Sequence, residues 1–376
     1  MADLATELAL LPMFRRVPPH ELATSGRLWK AVVLAPGEEL WGQGEAVDQL
    51  AVVLLGELGV VVDGVEVGRV LPGELLGEAS AFFAGTTRSA SLLARRDTQV
   101  AVLTTQSVRT LRWQRSALYD TLLDQGLKSL VRRIRTTDQK IACLALGGEK
   151  APARVEASTL VPLWRALQPG GPRSEAPDVL PLLRRQPGLK DAEPGTLLEI
   201  AAAFVAEAVE EGQVLFLEDE PGSAAWVVAE GSVDVLRHVR GDRAELLASL
   251  VPGDLFGVNT LVEKGPRTAS CVAAQAGWVY RLDADAATRL NGDALMRWRE
   301  TILAALATQI RLANRSLNQA TTQVARPGEK ARSAFDELLS ASGYLEALPV
   351  SEARLEAVRF AVTDDAERNR KNRHRT

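Results

Sequence analysis

A glutamate and an arginine ten residues apart, Glu78 and Arg88, form the chain's clearest pair able to hold a ligand. They belong to the stretch Gly77-Glu78-Ala79-Ser80-Ala81-Phe82-Phe83-Ala84-Gly85-Thr86-Thr87-Arg88-Ser89-Ala90-Ser91, which reads as a turn, a short helix and then a strand. Gly77 lets the backbone come close to a ligand. The N–H groups at the start of the short helix, near Ala79 and Ser80, favour an anion. Arg88 can fork onto phosphate oxygens and Ser89 can donate one more bond. Glu78 accepts hydrogen bonds and suits a sugar hydroxyl. The set fits an anionic group joined to a polyol. The plain alternative is a salt bridge between Glu78 and Arg88 across a loop.

Other chemistry finds no residues to carry it. There is no Gly-rich P-loop, no HExxH, no GxSxG and no kinase motif set, so no catalytic residue is assigned. Cys143 and Cys271 are far apart, and His20, His238 and His374 have no metal-like spacing. Neither a disulfide framework nor a metal site is expected. A net charge of −4 offers no polycationic surface, and nucleic acid is not the expected partner. No basic-then-apolar leader and no run of about 18 apolar residues is present, so a cytoplasmic protein without a membrane span is expected.

The elements that position these residues recur twice. With 376 residues, two domains are the natural division. Residues 1–30 read as helical, interrupted by Pro12 and Pro18-Pro19. From 31 to about 112, short apolar runs separated by Pro36-Gly37-Glu38, Asp63-Gly64 and Pro72-Gly73-Glu74 predict an all-β unit. Residues 114–146 read as helix. Residues 147–178, rich in proline and glycine, read as a linker. The pattern then restarts, helix over 179–205, strands over 206–283 and helix over 293–320. Gly37 and Gly56 have counterparts 175 residues on, in Gly212 and Gly231. Leu71-Pro72-Gly73-Glu74-Leu75-Leu76-Gly77 matches Val251-Pro252-Gly253-Asp254-Leu255-Phe256-Gly257, and Arg88 matches Arg267. The expected units are residues 1–146, 147–178 as linker, 179–320, and 321–376 as a short helical segment with a basic tail. Leu127, Ile134 and Ile141, with Leu130, Thr137 and Leu144 three residues further on, make an apolar seam for a helix–helix contact.

The stretch from Gly77 to Ser91 resembles the phosphate-binding cassette of cyclic-nucleotide-binding domains, above all that of the cyclic-AMP receptor (catabolite activator) family. Leu11-Pro12-Met13-Phe14 and Pro18-Pro19-His20-Glu21-Leu22 resemble that family's helical lead-in, and Arg132 to Ile141 resembles its long C-helix. The resemblance implies an α+β, mainly β chain of two cyclic-nucleotide-binding β-rolls (jelly-rolls), each flanked by helices including a long C-helix. It implies that Glu78 bonds the ribose 2′-hydroxyl, that Arg88 and Ser89 hold the cyclic phosphate with N–H groups near Ala79 and Ser80, and that Thr137 meets the adenine edge. Arg133 is expected to pair with Glu78 or approach the phosphate. Asp138 stands where the family has a serine contacting adenine from the partner helix, a departure that opens the choice between cAMP and cGMP. In the second repeat Gly257, Arg267 and Thr268 mark a weak site. Val258 replaces the ribose glutamate and, in the second long helix, Ala313 replaces Thr137.

The function these residues imply is a non-enzymatic sensor that binds cAMP, or cGMP, in the first repeat and relays it through the C-helix to an unidentified protein partner. The long helices are expected to pair within the chain as a pseudo-dimer or between chains as a homodimer. Two other readings stand beside it: a ligand-free adaptor built on the same fold, and a transcription regulator with a reduced C-terminal DNA-binding segment in place of the family's winged helix-turn-helix.

Overall fold

The computed structural model describes residues 4–83, 87–147, 175–239 and 243–324. The expected linker, all but its first residue and last four, and the expected segment beyond Val324 lie outside the described residues. Helices α1 (Leu4–Leu10) and α2 (Pro19–Ser25) lead into eight strands: β1 (Trp29–Leu34), β2 (Glu39–Trp41), β3 (Gln49–Leu55), β4 (Leu58–Val62), β5 (Val65–Val70), β6 (Leu75–Leu76), β7 (Ser91–Ala94) and β8 (Thr98–Thr104). A single turn of helix, α3 (Glu78–Ala81), sits between β6 and β7, and α4 (Thr105–Trp113) and the long α5 (Ala117–Gly147) follow. The second repeat runs α6 (Leu180–Arg184), α7 (Pro194–Ala202), β9 (Val205–Val209), β10 (Val214–Phe216), β11 (Ala224–Val239), β12 (Arg243–Leu250), β13 (Leu255–Phe256), α8 (Asn259–Val262), β14 (Ser270–Asp283), α9 (Ala284–Arg289) and the long α10 (Gly292–Val324). Residues 179–205, read from sequence as one helical stretch, form two short helices and the first residue of β9, because Pro194 restarts the chain in a first helical turn.

The first repeat folds as two antiparallel four-stranded sheets, in the orders β1-β8-β3-β6 and β2-β7-β4-β5. Its strands β3 and β8 are apolar at successive positions, not alternate ones, because both faces are covered. In β3, Leu50 and Val52 join the core beneath the helices while Ala51 and Val53 face the core between the sheets. Ala101 and Leu103 of β8 divide from Val100 and Val102 in the same way. The β4–β5 hairpin closes on Asp63 and Gly64, both at positive φ (49° and 81°), the two-residue turn that matches strand twist. In the second repeat the same plan is drawn with long bent strands. β11 and β14 cross both layers and join β9, β10, β12 and β13 in one six-stranded sheet. The proline-glycine turn recurs with its hydrogen bonds: Glu74 accepts from Leu71 N and Asp254 from Val251 N, each at 2.8 Å.

The long helices α5 and α10 pack against each other within the chain. Leu118, Leu122, Leu127, Leu130 and Ile134 of α5 share one core with Trp298, Ile302, Leu303, Leu306 and Ile310 of α10. Each fully buried leucine or isoleucine contributes about 1.5–3 kcal/mol, so this seam is a main source of cohesion between the repeats. The seam residues Leu127, Leu130, Ile134, Thr137 and Ile141 are all buried; the side chain of Leu144 lies outside the described residues. A polar knot reinforces the seam. Glu300 of α10 is buried and accepts two bonds from Arg112 of α4, at 2.6 and 3.0 Å, and one from the Tyr119 hydroxyl of α5. The helices cross so that each also touches the other repeat's cassette helix, α10 against α3 and α5 against α8.

Candidate functional site

The cassette of the first repeat is built where β6 ends. Gly77 turns the chain at φ +79°, and a Cβ there would sit 2.8 Å from Nη1 of Arg88, so a side chain at this position would strain the backbone and displace the guanidinium. Arg88 is buried, 4% exposed. Its guanidinium carbon lies 3.7 Å from the centre of the Trp41 ring, a cation–π contact that fixes the plane of the fork. Nη2 reaches Asp48 at 3.4 Å, an exposed carboxylate, while Nε and Nη1 are buried without a hydrogen-bond partner. Burial pulls the Arg88 pKa down, against the opposing pull of Asp48 and Glu45. Buried N–H groups without acceptors are rare in folded proteins, and each is costly.

Glu78 opens α3 and is 1% exposed. Oε1 takes bonds from Arg133 at 3.1 Å and Ser129 at 3.2 Å, both on α5. Oε2 is buried and has no partner. Burial raises the Glu78 pKa, against the pull of Arg133 and the hydrogen bonds. Arg133 is further tied to the carbonyl of Leu75 at 2.9 Å. Glu78 and Arg88 are therefore not partners: the plain salt bridge between them is not formed, and each keeps unpaired polar atoms. Gly77, Ala79 and Ser89 are half-buried in the same turn-and-strand, and the side chain of Ser80 lies outside the described residues. Thr137, one turn beyond Arg133 on α5, is buried.

Asp138 goes elsewhere. The next position on α5 faces the second repeat, where Asp138 pairs with Arg237 of β11 at 2.7 Å. Burial, with Glu218 nearby, pushes the Asp138 pKa up to about 6 against the pull of Arg237. This corrects its expected place beside the first site: successive helical residues are turned 100° apart, and α5 lies between two repeats. Arg135 likewise crosses over, bonding the Glu263 carboxylate at 3.0 Å and the Glu263 carbonyl at 3.1 Å.

The counterpart of Asp138 on α10, 176 residues on, is Asn314. It is half-buried, one turn before Leu317, which is buried among Val62, Val67, Ala90 and Ile141 of the first repeat. Asn318 on the same turn donates to Asp63 at 3.2 Å. Ser129 and Asn314 escaped the sequence reading; Trp41, by type a core residue, is buried between the sheets and also carries the Arg88 guanidinium. The repeat offset held the signal for Asn314, but only the crossing of the helices gives it meaning.

The second repeat places Gly257, Arg267 and Thr268 together and ties Nη1 of the guanidinium internally, while Nε is buried without a hydrogen-bond partner. Arg267, 5% exposed, gives Nη1 to the carbonyl of Gly257 and to Thr260 Oγ1, both at 2.9 Å. Its guanidinium carbon lies 4.2 Å from the Phe216 ring centre and 5.0 Å from that of Trp226, and Phe256 stacks on Trp226. Val258, in the place of Glu78, is buried in apolar surroundings. Thr268 faces Asn259 at 3.4 Å. Among the described residues no cluster of three or more His, Cys, Asp or Glu side chains is arranged to hold a metal ion, and no helix is long and apolar enough to cross a membrane.

The fold defines a protein of two β-rolls in tandem, each with a turn-and-helix cassette. The profile of the cyclic nucleotide-binding domain matches residues 31–114 and 206–291, and the chain therefore carries two cyclic nucleotide-binding domains. Over 143 residues the chain is 26% identical to a CRP-like cAMP-activated global transcriptional regulator of Mycobacterium tuberculosis, a match covering 36% of this chain and 60% of that protein. Over 259 residues it is 25% identical to a cGMP-dependent protein kinase of Caenorhabditis briggsae, covering 68% of this chain and 27% of the kinase. The matches thus span 60% or less of these relatives. Among solved structures, the cAMP-bound regulatory domain of Toxoplasma gondii PKA covers 79% of this chain and 94% of its own, at 17% identity and a TM-score of 0.29.

Proposed function

We propose that the chain is a non-enzymatic regulatory sensor that binds one cyclic nucleotide in its first repeat, cAMP ahead of cGMP, and passes the event to a protein partner. One observation carries this reading: Arg88 and Glu78, buried in one cassette, keep Nε, Nη1 and Oε2 unpaired. A cyclic phosphate satisfies the two guanidinium nitrogens, aided by Ser89 and the N–H groups of Ala79 and Ser80, and a ribose hydroxyl donates to Oε2. Thr137 from α5 and Asn314 from α10 meet the base; a carboxamide matches the donor–acceptor edge of adenine. The cAMP choice is also supported by the names of relatives, a cAMP-activated regulator and, at 38% identity over 65 residues, a cyclic AMP receptor protein of Thermus thermophilus. In this reading residues 1–146 and 179–320 are the two units, the second works without ligand, and the protein is cytoplasmic.

The signal travels through the Glu78 carboxylate. A ribose bond to Oε2 changes the charge available to Arg133 and Ser129, and so the position of α3 against α5. Since α5 is held to the second repeat by Arg135–Glu263 and Asp138–Arg237, the moving part is the cassette rather than the whole helix. Calorimetry with cAMP and cGMP tests the reading. One site per chain at micromolar affinity or tighter, lost in Arg88→Ala, supports it; no heat and no thermal shift with either nucleotide refutes it and leaves the ligand-free adaptor, which the apolar Val258 in the place of Glu78 already favours for the second repeat.

A further inference from the structure

The face of α5 turned to the first site does not end at Thr137. Gly126, where a Cβ would lie 3.3 Å from that of Glu78, Ser129, Arg133 and Thr137 follow one another by three or four residues, and the next on that face is Lys140. Lys140 is 6% exposed. Its ammonium donates to the carbonyl of Val67 on β5 at 3.1 Å, and among the described residues no carboxylate pairs with it. Burial, and the nearby cation Arg69, pull its pKa down. An ammonium has three protons to give and no acceptor capacity, so one carbonyl leaves it under-satisfied in a place where that is costly.

Its surroundings fit a base rather than a phosphate. The adjacent Ile141 is buried with Val62, Val67, Ala90 and Leu317, an apolar wall joining the hairpin, the exit of the cassette and α10. Lys140 is seven residues beyond Arg133, which pairs with the Glu78 carboxylate, and so about 10 Å further along the helix than Arg133. A nucleotide anchored by phosphate on Arg88 and ribose on Glu78, and running past Thr137, brings the far edge of its base to this point.

We infer that Lys140 is a specificity-determining residue of this pocket, donating to O6 of a 6-oxo purine and discriminating it from a 6-amino purine. The inference rests on the nucleotide-binding reading above. Guanine and hypoxanthine present two adjacent acceptors, O6 and N7, and lysine is a natural donor to them; adenine replaces O6 with an amino group that the ammonium cannot accept from. Lys140 thus gives cGMP a foothold in a site whose Thr137 and Asn314 suit cAMP.

The test is calorimetry on the whole chain with cAMP, cGMP and cIMP, comparing wild type, Lys140→Met and Lys140→Arg. Lys140→Met is expected to weaken cGMP and cIMP about tenfold while leaving cAMP unchanged, and Lys140→Arg to keep the wild-type ratio. If Lys140→Met does not fold, Lys140→Ala gives the same comparison, since it too removes the donor to O6. Equal losses for all three nucleotides overturn the inference and make Lys140 a fastening of the hairpin. So does a wild type that binds cAMP but neither 6-oxo nucleotide. A wild type that binds none of the three removes the nucleotide-binding reading itself.

Discussion

The two cassettes hold the same arginine at the same place and differ at one nitrogen: both leave Nε buried without a partner, but only the second gives Nη1 an acceptor. Arg88 rests on Trp41 with Nε and Nη1 unpaired; Arg267 sits among Phe216 and Trp226 and gives Nη1 to Gly257 and Thr260. Glycine precedes each cassette helix at positive φ, so the backbone frame is shared. The difference lies in what fills it. At the position of Glu78 the second repeat has Val258, and where the first has Ser80 the second has Thr260, whose hydroxyl bonds Arg267. A cassette can thus keep its arginine and its backbone turn where the glutamate position holds an apolar residue, with a neighbouring hydroxyl taking up part of the guanidinium. An arginine in the motif is weak support for binding; the unpaired nitrogens of that arginine are stronger.

The comparison is broken most directly by Arg88→Ala. Nucleotide affinity is expected to fall by about 100-fold or more, since two charge-assisted bonds are lost, while Arg267→Ala leaves the affinity unchanged; calorimetry of both variants decides. If Arg267→Ala alone abolishes binding, the assignment of live and closed cassettes is reversed. Next in size is the knot that joins the repeats. Glu300→Ala strands Arg112 and Tyr119 at a buried seam and is expected to cost about 3 kcal/mol in urea unfolding. Restoring a carboxylate at Val258→Glu is expected to create no second site, with stoichiometry still one per chain, because Nη1 of Arg267 is already held by Gly257 and Thr260; the variant loses stability by burying a charge. A second equivalent of bound nucleotide would show instead that the missing glutamate alone silenced the repeat.

A pH experiment sharpens the same contrast. Asp138, raised to about 6 in the fold from an ordinary value near 3.8, binds a proton more tightly folded than unfolded. Its contribution therefore favours folding at acid pH and is lost as pH rises from about 4 through about 6. Asp138→Asn is expected to flatten that part of the stability–pH curve without changing nucleotide affinity in the first repeat. The smallest effect is expected at Lys128→Ala, whose bond to Asp124 at 2.7 Å lies at the surface; a loss of about 0.3–0.5 kcal/mol in thermal unfolding is anticipated.

Much of this was legible in one dimension. The short apolar runs between turns predicted the strands and the Pro-Gly turns the repeat, since each depends on neighbours within about fifteen residues, while the cassette was proposed from the resemblance of Gly77 to Ser91 to a known motif. Burial on both faces explains the continuous runs of β3 and β8, which alternation alone would have missed. Asp138 and Asn314 were not legible in the same way. Residues adjacent in sequence on α5 serve different repeats, Thr137 on the face toward the first and Asp138 bonded to the second.

The sequence by itself determined local geometry and chemical type: positive-φ glycines, apolar faces, and residues able to hold an anion and a polyol. The tertiary structure alone decided which of those groups remain free. Whether an arginine is available depends on acceptors brought to it from elsewhere, and whether a helix residue reads one pocket or the other depends on how two helices cross. Both are properties of packing between segments some 175 residues apart, and no local pattern encodes them.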